Sequence, residues 1–264
     1  MLPITALTNE ARRRLRGLLF DLDDTFLDHA ELTEAAYSSL FRLREAGFEA
    51  YAVTGRPAGW AAVVVRQWPI DGAVAENGAI AYKMDGRALH TLDTVPEAER
   101  ALRREKLGAV VSQVQSAFPE FVPADDVPLR VTDFTFDIGE QHHVPRERVQ
   151  EVRVFAEARG AFTLASSVHL HLSFDREDKA SGIVRLIRTL RGLDPSVILS
   201  RYAFIGDSEN DAACFAAFRH SIGVANLSGR PSLTPRYRTK SERGAGFVQA
   251  VNALIAAGPA PAAR

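Results

Sequence analysis

The sequence has a single cysteine, Cys214, among its 264 residues, so no internal disulfide can form. A chain with one free thiol fits a reducing compartment. No apolar run approaches the roughly 20 residues that span a bilayer. The first residues carry their charges after a short apolar part, which is the reverse of a secretory signal peptide. We therefore expect a cytoplasmic protein with no membrane partner.

An excess of charge of one sign is also missing. The 32 basic residues stand against 33 acidic ones, which leaves a formal net charge of -1. Such a balance gives no general attraction to nucleic acid or to anionic lipid. The arginines that precede the first strand, between Arg12 and Arg16, have no aromatic neighbours on which bases could stack. We expect this cluster to be solvated and the protein to have no nucleic-acid partner.

Apolar runs alternate with amphipathic segments in the first third of the chain. Residues 17–22 form a continuous apolar run, which is typical of a strand buried on both faces of a parallel sheet. A helix is predicted over 31–46, and a second strand is predicted to end at Thr54. A further helix and a further strand follow, as far as residue 82. This alternation predicts an α/β fold with a doubly wound, Rossmann-like parallel sheet.

The pattern changes at about Lys83. Prolines recur, and the stretch "RVTDFTFDI" alternates apolar and polar residues like a strand with one solvated face. The parallel pattern resumes after Asp175. We therefore predict a discontinuous catalytic core, residues 1–83 and 176–264, and an inserted α+β cap domain over 84–175.

Carboxylates and a threonine follow the predicted core strands, at the edge where open parallel sheets bind ligands. Asp21 and Asp23 come after the first strand, Thr54 after the second, and Asp207 and Asp211 after a later one. Carboxylates brought together in a dry site repel one another, and a hard divalent cation with oxygen ligands removes that repulsion. The sequence therefore predicts a Mg²⁺ site, to which Asp23 contributes its backbone carbonyl and Asp211 binds through water or supports the other ligands.

The stretch "DLDDT" carries the chemistry that we predict. Asp21, at the strand end, can attack phosphorus and form an aspartyl-phosphate. Asp23 falls in the loop, from which it can protonate the leaving oxygen and later activate water. Asp24 is interpreted as a loop residue that hydrogen-bonds nearby backbone.

Phosphate oxygens require donors and a fixed cation. Thr54 and the adjacent Gly55 can supply a hydroxyl and backbone donors. Lys179 opens a helix after the insertion and can offset the developing charge, or it is an ordinary solvated lysine. Asn210 either caps its helix or contacts phosphate.

The four segments "DLDDT", "VTGR", "DKASG" and "GDSENDAA" resemble, in order, the motifs of the haloacid dehalogenase-like superfamily of phosphatases. The segment "ENGAIAY" is similar to the type-two B-capped, Cof-like branch, which acts on small phosphorylated metabolites. The resemblance implies a magnesium-dependent phosphatase of a sugar-like phosphate. By this resemblance the nucleophile is Asp21, the acid/base is Asp23, the phosphate binders are Thr54 and Lys179, and the magnesium site is formed by Asp207 and Asp211.

Residues near the core edge and on the cap are candidates for substrate specificity. Arg56 could contact substrate or pair with a neighbouring acid, and Asn77 could contact substrate or form a hinge turn with Gly78. His169 and His171 alternate onto one face of a predicted strand, where they either bind substrate or serve the structure.

Other functions remain open at this stage. A phosphotransferase or phosphomutase would pass the same aspartyl-phosphate to a second hydroxyl. A non-catalytic phospho-receiver or regulatory module would also use acids, a threonine and a lysine, although receivers are about half as long as this chain. The sequence does not indicate an oligomeric state.

Overall fold

Two β-sheets organise the computed structural model, which describes residues 1–166, 168–227 and 232–256. The strands of the larger sheet are β1 (Leu2–Pro3), β2 (Gly17–Phe20), β3 (Glu49–Val53), β4 (Gly72–Ala75), β5 (Ile80–Asp85), β6 (Ala88–Asp93), β11 (Tyr202–Gly206), β12 (His220–Gly223) and β13 (Tyr237–Arg238). Those of the smaller sheet are β7 (Val122–Pro123), β8 (Asp133–Asp137), β9 (Phe162–Ala165) and β10 (His169–Ser173). The described helices are α1 (Asn9–Arg14), α2 (Glu34–Glu45), α3 (Ala58–Gln67), α4 (Glu97–Ala117), α5 (Arg146–Glu157), α6 (Lys179–Arg191), α7 (Pro195–Arg201), α8 (Ala212–Ala217) and α9 (Arg243–Ile255).

The larger sheet has the strand order β1-β13-β12-β11-β2-β3-β4-β5-β6 and is parallel from β1 to β4. Successive residues of β2 point to opposite faces, as a pleated strand requires. Leu18 and Phe20 therefore join one hydrophobic core, while Leu19 joins the other. Helices cover both faces, so the predicted doubly wound α/β fold is confirmed.

The larger sheet continues beyond the position at which the sequence placed its end. Strands β5 and β6 form an antiparallel hairpin that pairs Ile80 with Asp93 and extends the sheet from β4. Residues 84–93, which the sequence analysis assigned to the cap domain, therefore pair with the core sheet. The change of composition at Lys83 marks a partly solvated sheet edge, where alternating patterns replace continuous apolar runs. The division of the chain into two domains stays a prediction.

The inserted segment 94–175, called the cap below, contains the smaller sheet, which is antiparallel and ordered β7-β8-β10-β9. Helices α4 and α5 contribute apolar side chains, among them Val114 and Val152, to a third hydrophobic core with this sheet. Helix α4 has 21 residues and was not predicted, because its buried residues form only a narrow stripe within a highly charged segment. Among the residues that the structure describes, no helix is both long and apolar enough to cross a membrane.

Two glycines bring α6 against the turn that follows β4. Gly78 has φ +112°, and a side chain there would collide with the carbonyl of Asp178. A Cβ atom at Gly182 would lie 2.5 Å from the Cα of Gly78. Asp178 also caps the helix by accepting a hydrogen bond from the Ser181 N–H. This contact fixes the first turn of α6, and with it Lys179.

Candidate active site

Neighbouring parallel strands end in polar residues at one edge of the large sheet. Asp21 follows β2, Thr54 follows β3 and Asp207 follows β11. Because β11, β2 and β3 are adjacent and parallel, these residues emerge side by side. The N–H of Asp21 still donates to the carbonyl of Ile205 at 3.0 Å, so the nucleophile candidate is held by the sheet itself.

A buried lysine links two of the carboxylates. The Nζ atom of Lys179 lies 2.9 Å from Oδ1 of Asp21 and 2.7 Å from Oδ1 of Asp211. Lys179 is only 1% exposed. Burial lowers the pKa of this amine, but the ion pairs with both carboxylates outweigh burial and raise the pKa above its usual value. Lys179 is therefore a fixed cation and not a solvated side chain.

Three carboxylates meet around this lysine. Asp21, Asp207 and Asp211 each offer an oxygen, and these oxygens lie within 4.8 Å of one another. Burial, reinforced by the neighbouring acids, raises the pKa of Asp21 well above its usual range and that of Asp207 to about 7. Both groups are poorly stabilised as anions by the protein alone, and a cation would restore their charged forms.

The segment after β3 has donors available for an anion. The hydroxyl oxygen of Thr54 accepts the N–H of Arg56 at 3.0 Å, so the hydroxyl proton is free to be donated elsewhere. Gly55 lies against Asn77, whose Oδ1 would be 3.0 Å from a Cβ at that position. Asn77 itself has φ +54°, donates its N–H to the carbonyl of Thr54 at 3.1 Å, and buries its Oδ1 without a hydrogen bond from the described residues.

Asp23 lies apart from the buried carboxylates. The chain leaves β2 and turns at Asp24, which has φ +51°. The guanidinium of Arg56 binds Asp23 through its Nε atom, 2.8 and 2.9 Å from the two carboxylate oxygens, and stacks 4.0 Å from the ring centre of Trp60. The Asp23 side chain is 47% exposed. Of the two interpretations of Arg56, the structure shows the ion pair with a neighbouring acid.

The two cap histidines have acidic partners. Nδ1 of His171 lies 2.8 Å from Oδ2 of Asp133, and burial lowers the pKa of this imidazole. Nε2 of His169 lies 3.0 Å from Oε2 of Glu140, and the two imidazole rings are 6.0 Å apart. The role of both histidines as substrate contacts stays a prediction.

Comparisons with known proteins agree with this fold. A family model described as haloacid dehalogenase-like hydrolase matches residues 18–118. A phosphoglycolate phosphatase of Methanothermobacter thermautotrophicus is 26% identical over 251 residues, which cover 91% of this chain and 99% of the relative. Residues 18–118 are thus similar to the haloacid dehalogenase-like hydrolases, the family that the sequence motifs resemble.

Solved structures share the fold of this protein. A Thermoplasma acidophilum protein has a TM-score of 0.72 at 19% identity, covering 92% of this chain and 99% of its own. A Synechocystis sucrose-phosphatase, solved with sucrose and phosphate, has a TM-score of 0.63 at 17% identity, covering 91% and 98%. At these identities the likeness extends to the fold alone.

The carboxylates of the site are suited to a hard divalent cation. Oδ1 of Asp211 is bound by Lys179, and its Oδ2 accepts the N–H groups of Asp207 and Ser208 at 2.9 and 3.3 Å. Asp207 accepts the hydroxyl of Thr25 through Oδ1 at 3.3 Å. The Oδ2 atoms of Asp21 and Asp207 accept no hydrogen bond from the described residues. These two oxygens are therefore available to a divalent cation, while both oxygens of Asp211 are already occupied.

Some residues of the site have roles that the sequence did not indicate. Asn210 accepts the hydroxyl of Ser208 at 2.6 Å, which is a loop contact. Glu76 and Arg130 are buried charged residues that join the cap to the core, and neither was predicted. The turn "ENG" and the acid-rich "DDVPLR" carry no spacing that reveals such contacts. Only the burial of a charged side chain identifies them.

Proposed function

We propose that this protein is a magnesium-dependent phosphatase, which removes phosphate from a small phosphorylated metabolite through an aspartyl-phosphate. One observation carries the proposal: a buried carboxylate, Asp21, lies at a strand end between a fixed cation, Lys179, and the free hydroxyl of Thr54. A phosphate group in this position would meet a nucleophile, a charge partner and a donor together.

The chemical step begins at Asp21. One carboxylate oxygen of Asp21 attacks phosphorus, a new P–O bond forms to the carboxylate, and the P–O bond to the leaving group breaks. Lys179 and the Thr54 hydroxyl stabilise the negative charge on the phosphoryl oxygens. The oxygens of Asp21 and Asp207 and the backbone carbonyl of Asp23 would hold Mg²⁺, and the bound ion would supply positive charge next to the phosphate.

Asp23 acts as the general acid and then as the general base. It donates a proton to the leaving oxygen as the first P–O bond breaks, and it then takes a proton from the water that attacks the aspartyl-phosphate. The second attack breaks the bond between phosphorus and Asp21, which releases phosphate and restores the carboxylate. The ion pair with Arg56 holds the Asp23 side chain in place between these steps.

The leaving group is recognised outside the core. The matched relatives are named phosphoglycolate phosphatases, and they align over 91% of this chain. We therefore place phosphoglycolate first in a substrate panel and sugar phosphates second. Arg56, Asn77, His169 and His171 are the proposed specificity residues. All four are polar groups close to the core edge or on one cap strand.

The test is release of inorganic phosphate from this panel, with Mg²⁺ and with excess chelator. Asp21→Asn should abolish release, because an amide cannot form the aspartyl-phosphate. Asp24→Asn is the matched control, since Asp24 lies in the same turn but pairs with Arg243 at 3.0 Å. Release that survives Asp21→Asn, or that needs no metal, would contradict the proposal. Appearance of an isomeric phosphate ester without free phosphate would favour a phosphomutase.

A further inference from the structure

A buried arginine of the cap reaches the candidate phosphate-binding segment of the core. Arg130 lies in the cap just before β8, and its side chain is 1% exposed. Its guanidinium binds the carboxylates of Asp126, at 2.7 and 2.9 Å, and of Asp133, at 3.0 and 3.1 Å. The Nη1 atom of Arg130, which binds Asp133, also donates to the carbonyl of Gly55 at 3.2 Å.

The hydrogen bond from Arg130 holds the carbonyl end of the peptide group between Gly55 and Arg56. The Gly55 carbonyl and the Arg56 N–H belong to the same planar unit, so neither can rotate without the other. The carbonyl is bound by Arg130, and the N–H is donated to the hydroxyl oxygen of Thr54. Because the N–H occupies one acceptor position of that hydroxyl, the hydroxyl proton remains available to another acceptor. Hydrogen bonding at the carbonyl also polarises the peptide and strengthens the N–H as a donor.

We propose that Arg130 is a positioning residue for phosphate binding, which acts through the Gly55–Arg56 peptide to orient the hydroxyl of Thr54. The inference rests on the proposed phosphatase function. If Arg130 has this role, the phosphate-binding segment of the core is complete only when the part of the cap around Arg130 lies against it.

Glu76 keeps the cap docked at this point. Its carboxylate accepts the N–H groups of Val131, Thr132 and Asp133 in the cap, together with the Thr132 hydroxyl at 2.6 Å. It also accepts the N–H of Ala58, at the start of α3 in the core, at 2.9 Å. The three cap residues directly follow Arg130, so this carboxylate fixes the backbone from which the guanidinium extends.

The same arginine is connected to the cap histidines. Asp133 binds Arg130 through both oxygens and His171 through Oδ2. His171 and His169 are adjacent on one face of β10, with ring centres 6.0 Å apart. A leaving group that contacted these histidines would therefore be connected, through Asp133 and Arg130, to the hydrogen bonds that orient Thr54.

A double-mutant cycle tests this inference. The variants are Arg130→Lys, Thr54→Val and the two combined, because lysine keeps the charge but cannot bind two carboxylates and a carbonyl at once. The measured quantities are the inhibition constant of inorganic phosphate and kcat/KM for p-nitrophenyl phosphate. Arg103→Lys is the matched control, since Arg103 is a cap arginine paired with Asp175 at 2.7 Å.

Each single variant should weaken phosphate inhibition by about tenfold, the effect of one hydrogen bond to a charged group. The combined variant should be no weaker than Thr54→Val alone, because Arg130 acts through that hydroxyl. Arg103→Lys should leave the inhibition constant unchanged. The inference is overturned if the combined effect is the product of the two single effects, about a hundredfold, or if Arg130→Lys leaves phosphate affinity intact.

Urea unfolding of each variant identifies a loss of fold. Should Arg130→Lys not fold, the paired change Arg130→Gln and Asp126→Asn replaces it in the cycle, since it keeps the net charge of the buried cluster. A wild-type chain that hydrolyses no phosphate ester would overturn the proposed function. The cycle is then run on phosphate binding by calorimetry, where additivity again refutes the role of Arg130 and non-additivity supports it.

Discussion

Replacing Gly182 with alanine should separate α6 from the turn after β4 and displace Lys179. The new Cβ would lie 2.5 Å from Cα and 2.6 Å from the carbonyl oxygen of Gly78. Carbon atoms pack at about 3.5–4.0 Å, so the two segments must move apart by roughly 1 Å. Gly78 also packs against the backbone of Asp178, the N-cap of α6, so a shift of α6 disturbs both contacts.

Two opposing effects set the size of this change. Overpacking of this kind costs about 1–3 kcal/mol, and alanine in a helix interior gains about 0.5–1 kcal/mol over glycine. We expect a net loss near 1 kcal/mol, which lowers the Tm by about 2–4 °C for a chain of this size. A 1 Å displacement of Lys179 should also reduce kcat by about a hundredfold.

Gly108→Ala is the matched control. Gly108 lies in α4, and a Cβ there would meet no atom within 4 Å. This change should raise the Tm by about 1–4 °C without altering kcat. Thermal unfolding by circular dichroism and phosphate release, both at fixed Mg²⁺, measure the two variants side by side. A Gly182→Ala variant that gains stability as Gly108→Ala does, with kcat intact, would refute the close approach.

Three further predictions follow from buried charges. Mg²⁺ at about a hundred times its Kd should stabilise the fold by about 2.7 kcal/mol, which scanning fluorimetry would record as a higher Tm. Asp207→Asn should largely remove this rise in Tm. Backbone N–H groups lower the pKa of Asp137 to about 2 despite its burial, so its stabilisation is present above pH 4 and is lost as the pH falls through 2. Asp137→Asn should therefore cost about 2 kcal/mol in urea unfolding at pH 7 and less at pH 3, with Asp125→Asn as the exposed control. Arg100→Leu should cost about 2 kcal/mol, because it removes the arginine from the half-buried Asp93 and one of two arginines from the buried Asp175, whereas the exposed Arg104→Leu should stay within about 0.5 kcal/mol.

Periodic apolar patterns made the central part of the fold predictable. Strands such as β2 and β11 are buried on both faces, so they leave continuous apolar runs, and the helices between them leave amphipathic ones. Helix α4 was missed because its buried positions, such as Leu107 and Val114, are too sparse to outweigh its charged residues. The predicted core boundary at Lys83 falls inside the β5–β6 hairpin. This hairpin has a solvated face, so it lacks the continuous apolar run that marks the other strands of the core sheet.

The candidate site was predictable where it depends on strand ends. Asp21, Thr54 and Asp207 converge because adjacent parallel strands end at one edge, and that edge follows from element order alone. The contacts of Glu76 could not be predicted in this way. Its carboxylate meets Ala58, 18 residues away, and Thr132, 56 residues away, and no periodic pattern relates such positions. Contacts of this kind depend on how the cap lies on the core.

The separation of Asp21 from Asp23 has a chemical reason. The side chain of Asp21 is 5% exposed, which keeps bulk water from the atom that we propose to bond to phosphorus. The side chain of Asp23 is 47% exposed, although only one residue lies between the two. A group that gives a proton to the leaving oxygen and takes one from water must reach both substrate and solvent in every turnover. The break in the pleat after β2 serves both needs, since it buries the proposed nucleophile and turns the proposed acid/base outward within three positions.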